Sequence, residues 1–130
     1  MFGRYFRCLG VVYLAAILSG PVVAEKPTVV DGDTVKIDGQ RKRLRNHDAP
    51  ETGASRGEHA PKCDRERQLG EASKARFKEI IDGGKNIEIK TVGRDKYHRD
   101  VIEMKIDGKD PGKQLIAEGL AKRRKGNWCQ

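Results

Sequence analysis

The sequence predicts a small α+β domain, mostly β, in which five strands form a Greek-key barrel with helices packed against it. Hydrophobic residues alternate with polar ones along five short stretches, as in strands that have one buried face. The elements follow in the order three strands, a helix, two strands and a second helix. A small mixed sheet in this order needs its edges closed, and a barrel closes them.

The five strands are bounded by turn residues. They are expected at residues 28–30, 34–38, 41–45, 86–92 and 101–106. Asp38-Gly39 joins the second strand to the third and is typical of a two-residue hairpin turn. In the fourth strand, Ile87 and Ile89 are expected to lie on one face.

Two helices are expected to cover the sheet. Asp64 is predicted to cap the first helix, and Gly83-Gly84 to end it. Its apolar stripe is predicted to consist of Leu69, Ala72, Phe77 and Ile80. The second helix should begin at Asp110-Pro111, because proline suits the first helical position. This set of elements fits the five-stranded oligonucleotide-binding barrel, the OB-fold.

The first 24 residues have the layout of a secretory signal peptide. Arg4 and Arg7 precede an apolar run over residues 9–18, and Val22-Val23-Ala24 resembles a small-residue cleavage site. A membrane anchor is the alternative, but the run is shorter than the roughly 20 apolar residues of a spanning helix. We expect residues 1–24 to be removed and residues 25–130 to form one exported domain, periplasmic or secreted.

The charge of the chain favours polyanionic partners. The formal net charge is +8, and it becomes +6 when the leader with its two arginines is removed. A basic exported protein is predisposed toward nucleic acid, acidic polysaccharide or anionic lipid, and charge alone does not choose among them. We expect that the protein does not insert into a membrane after the signal peptide is cleaved. We also expect it to be a monomer.

Removal of the leader takes Cys8 away and leaves Cys63 and Cys129. An even pair in an oxidising compartment predicts a disulfide, and two free thiols are the alternative. The bond would close a long loop, which stabilises by about 4 kcal/mol in the chain-entropy model. A zinc site is disfavoured because the chain lacks a Cys-x-x-Cys pair.

Acidic residues cluster at the two ends of the first hairpin. The turn at 38–39 brings Asp33 and Asp48 to one rim of the sheet, with Asp31 and Glu51 nearby in sequence. Facing carboxylates repel unless a cation lies between them, and calcium takes oxygen ligands from carboxylates and backbone carbonyls such as that of Ala49. The alternative is that these acids belong to ordinary turns.

Arg43 and Arg99 complete the candidate site. Arg43 lies on the outward face of the third strand, and Arg99 follows the charged turn "RDKYH". A guanidinium presents parallel donors that match two phosphate oxygens. A surface arginine without such a role is the alternative for each, because the chain contains 27 lysines and arginines.

Four motifs, "DGDT", "RLRNHDAPE", "DKYHR" and "LIAEGLA", resemble the staphylococcal nuclease (thermonuclease) family in order and spacing. The resemblance covers about residues 27–122. It implies an OB-fold barrel with packed helices and a calcium-dependent nuclease that cuts DNA and RNA.

The resemblance also assigns roles near the metal. Asp33 and Asp48 match the metal-binding carboxylates, and Ala49 matches a position that contributes its backbone carbonyl. Glu51 matches the glutamate usually drawn as the base that activates water. Asp31 is similar to an acid that contacts the metal ligands without binding the metal itself.

Further roles concern the phosphate and the nucleotide. Arg43 and Arg99 match the two arginines that hold the phosphate. Asp95, Lys96 and Tyr97 match a segment near the bound nucleotide, so Lys96 and Tyr97 are candidate substrate contacts.

The chain departs from the family pattern at two places. Asn46-His47 stands where a glycine and an aliphatic residue are frequent, and His98 stands where a glycine is common. Loop glycines often adopt positive φ, so these residues could shift a neighbouring catalytic group.

The sequence therefore predicts an exported nuclease that hydrolyses DNA or RNA phosphodiester bonds with calcium or another divalent cation. A non-catalytic OB-fold module that binds nucleic acid is the alternative. An envelope protein that uses its charge to bind polysaccharide would leave the acidic cluster unexplained.

Overall fold

A computed structural model describes residues 15, 25–54 and 56–130. The predicted signal peptide, residues 1–24, lies outside the described residues except for Ala15. Within the described ranges, no helix combines the length and apolar character needed to span a bilayer.

Five strands and two helices make up the fold of residues 25–54 and 56–130, which confirms the α+β, mostly β prediction. The strands are β1 (Thr28–Asp31), β2 (Thr34–Ile37), β3 (Gln40–Leu44), β4 (Ile87–Arg94) and β5 (Asp100–Ile106). The helices are α1 (Asp64–Gly83) and α2 (Pro111–Ala117), with a 3₁₀ turn at Gly57–His59.

The strands form one mixed sheet in the order β1-β2-β3-β5-β4. β3 and β5 are parallel, and the other neighbours are antiparallel. No ladder joins β1 to β4 among the described residues, so hydrogen bonds do not close the sheet there. The arrangement is compatible with the partly open five-stranded barrel of the OB-fold.

The β2–β3 hairpin has the predicted two-residue turn. Asp38 and Gly39 have φ values of 50° and 78°, as a type I′ turn requires. Thr34 pairs with Arg43 across the hairpin. The Leu44 N–H also donates to the Asp33 carbonyl at 2.8 Å, so the residue before β2 lies beside the end of β3.

The core lies between the sheet and the helices. Its buried members are Val35, Leu44, Phe77, Ile81, Ile102, Met104, Ile106, Leu115 and Ala121. Ile87 packs against this core, whereas Ile89, two residues further along β4, is 41% exposed. β4 is the last strand of the sheet, and much of it lies in solvent.

The buried face of α1 differs from the predicted stripe. The buried residues are Glu66, Gly70, Ser73, Phe77 and Ile81. Of the predicted stripe, Phe77 is therefore buried and Ile80 is partly buried against the core. The first half of the helix contacts the loop after β3 rather than the apolar core, and small or polar residues fit that contact. The predicted cap is also off by one residue, since Cys63 is the N-cap and its Sγ accepts from the Glu66 N–H at 3.4 Å.

Candidate metal and phosphate site

Arg43 lies between two carboxylates at the rim of the sheet. Its Nη1 is 3.0 Å from Asp33 Oδ2, and its Nη2 is 3.4 Å from Asp48 Oδ1. Nη1 also lies within hydrogen-bonding distance of the carbonyl oxygens of Leu44 and His47, at 3.1 and 3.0 Å. The structure thus brings together the three predicted residues Arg43, Asp33 and Asp48.

Asp33 is held as a buried carboxylate. Its Oδ2 accepts from the Ala49 N–H at 2.8 Å, and its Oδ1 accepts from the Thr34 hydroxyl at 3.0 Å. Burial acts to raise the pKa of Asp33, but the charge of Arg43 and the hydrogen bonds with the Asp31 side chain and the Ala49 N–H hold it below its ordinary value. Asp33 therefore remains charged and available to a cation.

Asp31 adjoins this carboxylate. Its Oδ1 accepts from the Asp33 N–H at 3.1 Å. Burial, followed by the charge of Asp33, raises the pKa of Asp31 to about 8. At neutral pH Asp31 therefore retains its proton and donates to Asp33, while Asp33 carries the charge.

Asp48 is contacted by the C-terminal part of the chain. Its N–H and carbonyl form two backbone hydrogen bonds with Lys122, at 2.7 and 2.9 Å, and its Oδ2 accepts from the Gly126 N–H at 3.4 Å. Burial and the charge of Asp33 raise the pKa of Asp48, while Arg43, Gly126 and Trp128 act against that shift. Sequence reasoning missed this contact, because 78 residues separate Asp48 from Gly126.

Glu51 lies on the loop that packs against α1. Its Oε1 is 3.5 Å from Nδ1 of His59, and its charge contributes to the raised pKa of Asp31. A Cβ added at Gly70 would lie 2.3 Å from the Glu51 carbonyl oxygen. The absence of a side chain at Gly70 therefore lets α1 approach the backbone of the predicted base. Sequence reasoning did not identify His59 as a neighbour of Glu51.

Arg99 is engaged by Asp95 rather than by the acidic cluster. Its Nε donates to Asp95 Oδ2 at 2.7 Å, and its N–H donates to Oδ1 at 3.0 Å. These bonds hold the pKa of Asp95 below its ordinary value, although burial acts to raise it. Arg99 lies two residues before Val101, the Cα partner of Arg43, so the parallel pairing of β3 and β5 places the two arginines in one region.

Tyr97 and Lys96 lie on the same β4–β5 loop. The Tyr97 hydroxyl donates to the Glu58 carboxylate, and Lys96 Nζ lies 4.9 Å from the centre of the tyrosine ring. The ring of His59 packs edge-on against Tyr97, with centroids 5.1 Å apart. His59 thus connects the loop of Glu51 to the predicted substrate-binding residues.

The two departures from the family pattern adopt the backbone conformation expected of glycine. Asn46 and His98 have φ values of 74° and 64°. His47 is buried, and its Nε2 donates to the Gly32 carbonyl at 2.8 Å. Its Nδ1 has no hydrogen-bond partner among the described residues and lies against the backbone of Gly112 at the start of α2.

The side chains at the rim suit a hard cation in their chemistry. Asp33 and Asp48 already bracket one positive charge, that of Arg43, and carboxylates are preferred calcium ligands. Among the described residues, a tight group of three ligand atoms within 4.8 Å is formed elsewhere, by Cys63, Glu66 and Cys129. That group offers no thiolate, because its two sulfurs form the predicted disulfide, with Cα atoms 5.9 Å apart.

The fold and the carboxylate–arginine cluster define a protein of the staphylococcal nuclease type. Residues 41–128 match the family described as staphylococcal nuclease homologue, which is more than half of the chain. The chain therefore belongs to the staphylococcal nuclease homologue family, which confirms the resemblance and indicates a nuclease-like or nucleic-acid-related function.

The chain is also similar to the succinoglycan biosynthesis protein ExoI of Rhizobium meliloti (strain 1021). The two are 30% identical over 125 residues. The aligned region covers 88% of this chain and 62% of the relative, so the chain spans less than two thirds of that protein.

Proposed function

We propose that this protein is an exported, divalent-metal-dependent nuclease that hydrolyses phosphodiester bonds of DNA or RNA, with calcium as its metal. The observation that carries the proposal is the Arg43 guanidinium set between the Asp33 and Asp48 carboxylates, 3.0 and 3.4 Å away, in a chain of this family. Cation ligands and a phosphate-binding group thus occupy one site. The Cys63–Cys129 disulfide supports an exported location.

Asp33, Asp48 and the backbone carbonyl of Ala49 would hold the metal. When bound there, calcium supplies Lewis-acid stabilisation of the phosphate and orders the attacking water. Asp33 suits this role, because its pKa lies below the ordinary value and it is charged at neutral pH. The proton retained by Asp31 keeps the Asp33 carboxylate in place.

Glu51 would accept the proton of the attacking water. His59, 3.5 Å from its Oε1, and the close packing of α1 at Gly70 would keep the carboxylate in position. To act as the base, Glu51 must reach a water molecule that attacks the phosphorus atom from the side opposite the leaving oxygen.

Arg43 and Arg99 would stabilise charge on the non-bridging phosphate oxygens. Each is held by an acid in the absence of substrate, Arg43 by Asp33 and Asp48 and Arg99 by Asp95. These acids hold the guanidinium groups at the site before substrate binds, and a phosphate would take the place of the acids. Tyr97 and Lys96 would contact the nucleotide from the neighbouring loop.

A second candidate function is a non-catalytic module that binds nucleic acid. It is favoured by the ion pairs of both arginines, which would have to rearrange before either could hold a phosphate. The relative from Rhizobium is named as a biosynthesis protein, and that name does not include nuclease activity.

Cleavage of single-stranded DNA and RNA by the purified protein, with calcium and with chelator, tests the proposal. Calcium-dependent cutting should collapse in Glu51→Gln by at least 10²-fold, the scale of general-base catalysis. Glu88→Gln, which changes an exposed acid on β4, is the matched control and should cut at the wild-type rate. Tight binding by wild type and Glu51→Gln, with no cutting under any metal, would establish the binding module instead.

A further inference from the structure

The C-terminal segment, residues 122–129, is attached to the proposed metal site at its first residue. Lys122 forms two backbone hydrogen bonds with Asp48, at 2.7 and 2.9 Å. Gly126 returns to the same residue, and its N–H donates to Asp48 Oδ2 at 3.4 Å. Residues 123–125 therefore form a turn that leaves Asp48 and comes back to it.

The other end of the C-terminal segment is fixed covalently. Cys129 is bonded to Cys63, the N-cap of α1, and Trp128 is buried beside it with 6% exposure. Lys122 Nζ lies 4.3 Å from the centre of the Trp128 ring and donates to the Asn127 carbonyl at 2.9 Å. The turn is thus held on both sides, although its own side chains are in solvent.

The three residues of this turn are all cationic. Arg123, Arg124 and Lys125 are exposed and form no ion pair among the described residues. Lys125 lies close enough to Glu58 for its charge to contribute to the lowered pKa of that carboxylate, after the hydrogen bond from Tyr97. The basic turn therefore extends from Asp48 toward Glu58, whose carboxylate accepts from the Tyr97 hydroxyl.

We propose that Arg123, Arg124 and Lys125 bind the backbone phosphates of a single-stranded nucleic acid next to the phosphate held at the Arg43 site. The choice of partner rests on the proposed function. Cationic side chains that bind phosphate backbones give affinity and register without reading sequence. Because the disulfide and the Asp48 bonds already order the backbone of the turn, less conformational entropy is lost when the strand binds.

Binding of a fluorescein-labelled oligothymidylate, measured by anisotropy in chelator, tests this. The test variant is Arg123→Ala/Arg124→Ala/Lys125→Ala. The control is Lys85→Ala/Lys105→Ala/Lys109→Ala, which removes the same charge from exposed residues around the far end of β5. That end lies roughly 17 Å along the strand from Val101, the partner of Arg43.

The test variant should bind more weakly than the control, and its dependence of log K on log salt should be shallower by about two. Wild type should consequently lose roughly 20-fold more affinity than the test variant between 50 and 200 mM salt. Cys63→Ser/Cys129→Ser, which leaves the cations but frees the segment, should lie between wild type and the test variant. If that double variant does not fold, the triple variant, which retains the disulfide, decides the question.

Equal affinity and equal salt slope in the test and control variants would overturn the inference. Failure of wild type to bind the oligonucleotide would also overturn it. If polygalacturonate is bound instead, and that binding is lost in the test variant, the basic turn is a site for acidic polysaccharide. Binding is measured in chelator, which prevents cutting, so it does not depend on nuclease activity. Binding of the oligonucleotide that is weakened in the test variant, together with no cleavage in calcium, would support the inference and refute the proposed nuclease.

Discussion

Arg43 lies between two acids of the site, and its charge favours the ionised form of each, although the pKa of Asp48 remains raised by burial and by Asp33. The side chains of Arg43, Asp33 and Asp48 are only 22%, 11% and 23% exposed, so their charges are poorly screened by water. Two carboxylates in such a setting repel, and one guanidinium offsets that repulsion in the metal-free protein. Under the proposed function, a divalent cation at the same acids would share them with Arg43, so the arginine would compete with the metal while also holding the phosphate.

Replacing Arg43 should therefore separate metal binding from catalysis. In Arg43→Gln, calcium should bind roughly tenfold to a hundredfold more tightly, because a positive charge about 3–4 Å from the ligands is removed. Hydrolysis should nevertheless fall by about 10³-fold or more, as for other arginines that stabilise transferring phosphoryl groups. Titration calorimetry and cleavage assays measure the two effects, with Arg41→Gln, an exposed neighbour on β3, as control. Weaker calcium binding in Arg43→Gln than in the control would contradict this account.

Asp31 gives the metal-free protein a pH dependence of the opposite sign to that of an ordinary paired carboxylate. Its folded pKa of about 8 lies above the ordinary value of 3.8, so the folded protein keeps a proton that the unfolded chain has lost between those pH values. This contribution to stability is full below about pH 4 and is lost as the pH rises through about 8. Asn at this position donates to Asp33 as the protonated acid does, but does not titrate.

In chelator, the stability of wild type should therefore fall between pH 4 and 8 relative to Asp31→Asn, by an amount on the order of a few kcal/mol. Urea unfolding at several pH values, followed by circular dichroism, measures the difference. Asp38→Asn changes an exposed acid in the β2–β3 turn and should keep the wild-type pH profile. Parallel profiles for wild type and Asp31→Asn would show that Asp31 is ionised in the folded protein.

At the scale of elements, the sequence predicted those features that depend on local chemistry. The β2–β3 turn, the inner face of β5 and the start of α2 follow from turn residues, alternation and a proline, and all three are present. The glycine-like positions 46 and 98 were also recognisable, because both residues have positive φ. Among the site residues, the pairing of Asp33 with Asp48 followed from the hairpin alone.

Features that depend on distant contacts could not be read from the pattern. α1 buries Glu66, Gly70 and Ser73, which look like solvent residues in a helical pattern. Gly70 and Ser73 face the site loops instead of the apolar core, and the Glu66 carboxylate accepts from the Lys62 N–H. A Cβ at Gly32 would come within 2.0 Å of Ser73 Oγ, so the approach of α1 to the first acidic turn depends on small side chains from both segments. No local signal specifies such a pairing across the chain.

Gly70 provides a test of this contact between α1 and the site. Gly70→Ala would place a methyl group 2.3 Å from the Glu51 carbonyl oxygen, so the helix or the loop must shift. We expect a loss of about 1–3 kcal/mol in stability from this overpacking, together with reduced cleavage. Gly83→Ala, at the end of the same helix with open space around its added Cβ, should cost nothing and is the matched control. Equal stability and cleavage in the two variants would show that α1 does not position Glu51.

At the scale of the molecule, the disulfide connects three parts that are remote in sequence. Cys63 caps α1, Cys129 follows the buried Trp128, and the segment between Trp128 and Lys122 returns to Asp48. The bond therefore ties the helix that packs behind Glu51 to the segment that contacts Asp48. Its contribution should appear in both stability and metal binding.

Reduction of the disulfide should lower the free energy of unfolding by about 4 kcal/mol. The bond closes a loop between residues 66 positions apart, and its reduction raises the conformational entropy of the unfolded chain. Urea unfolding with and without a phosphine reductant measures this change. Cys63→Ser/Cys129→Ser should unfold at the same urea concentration with and without reductant, which separates the bond from other effects of the reagent. Calcium should also bind the reduced protein more weakly, since release of the C-terminal segment removes the Gly126 hydrogen bond from Asp48. If reduction lowered stability but left calcium affinity unchanged, the disulfide would support the fold without ordering the metal site.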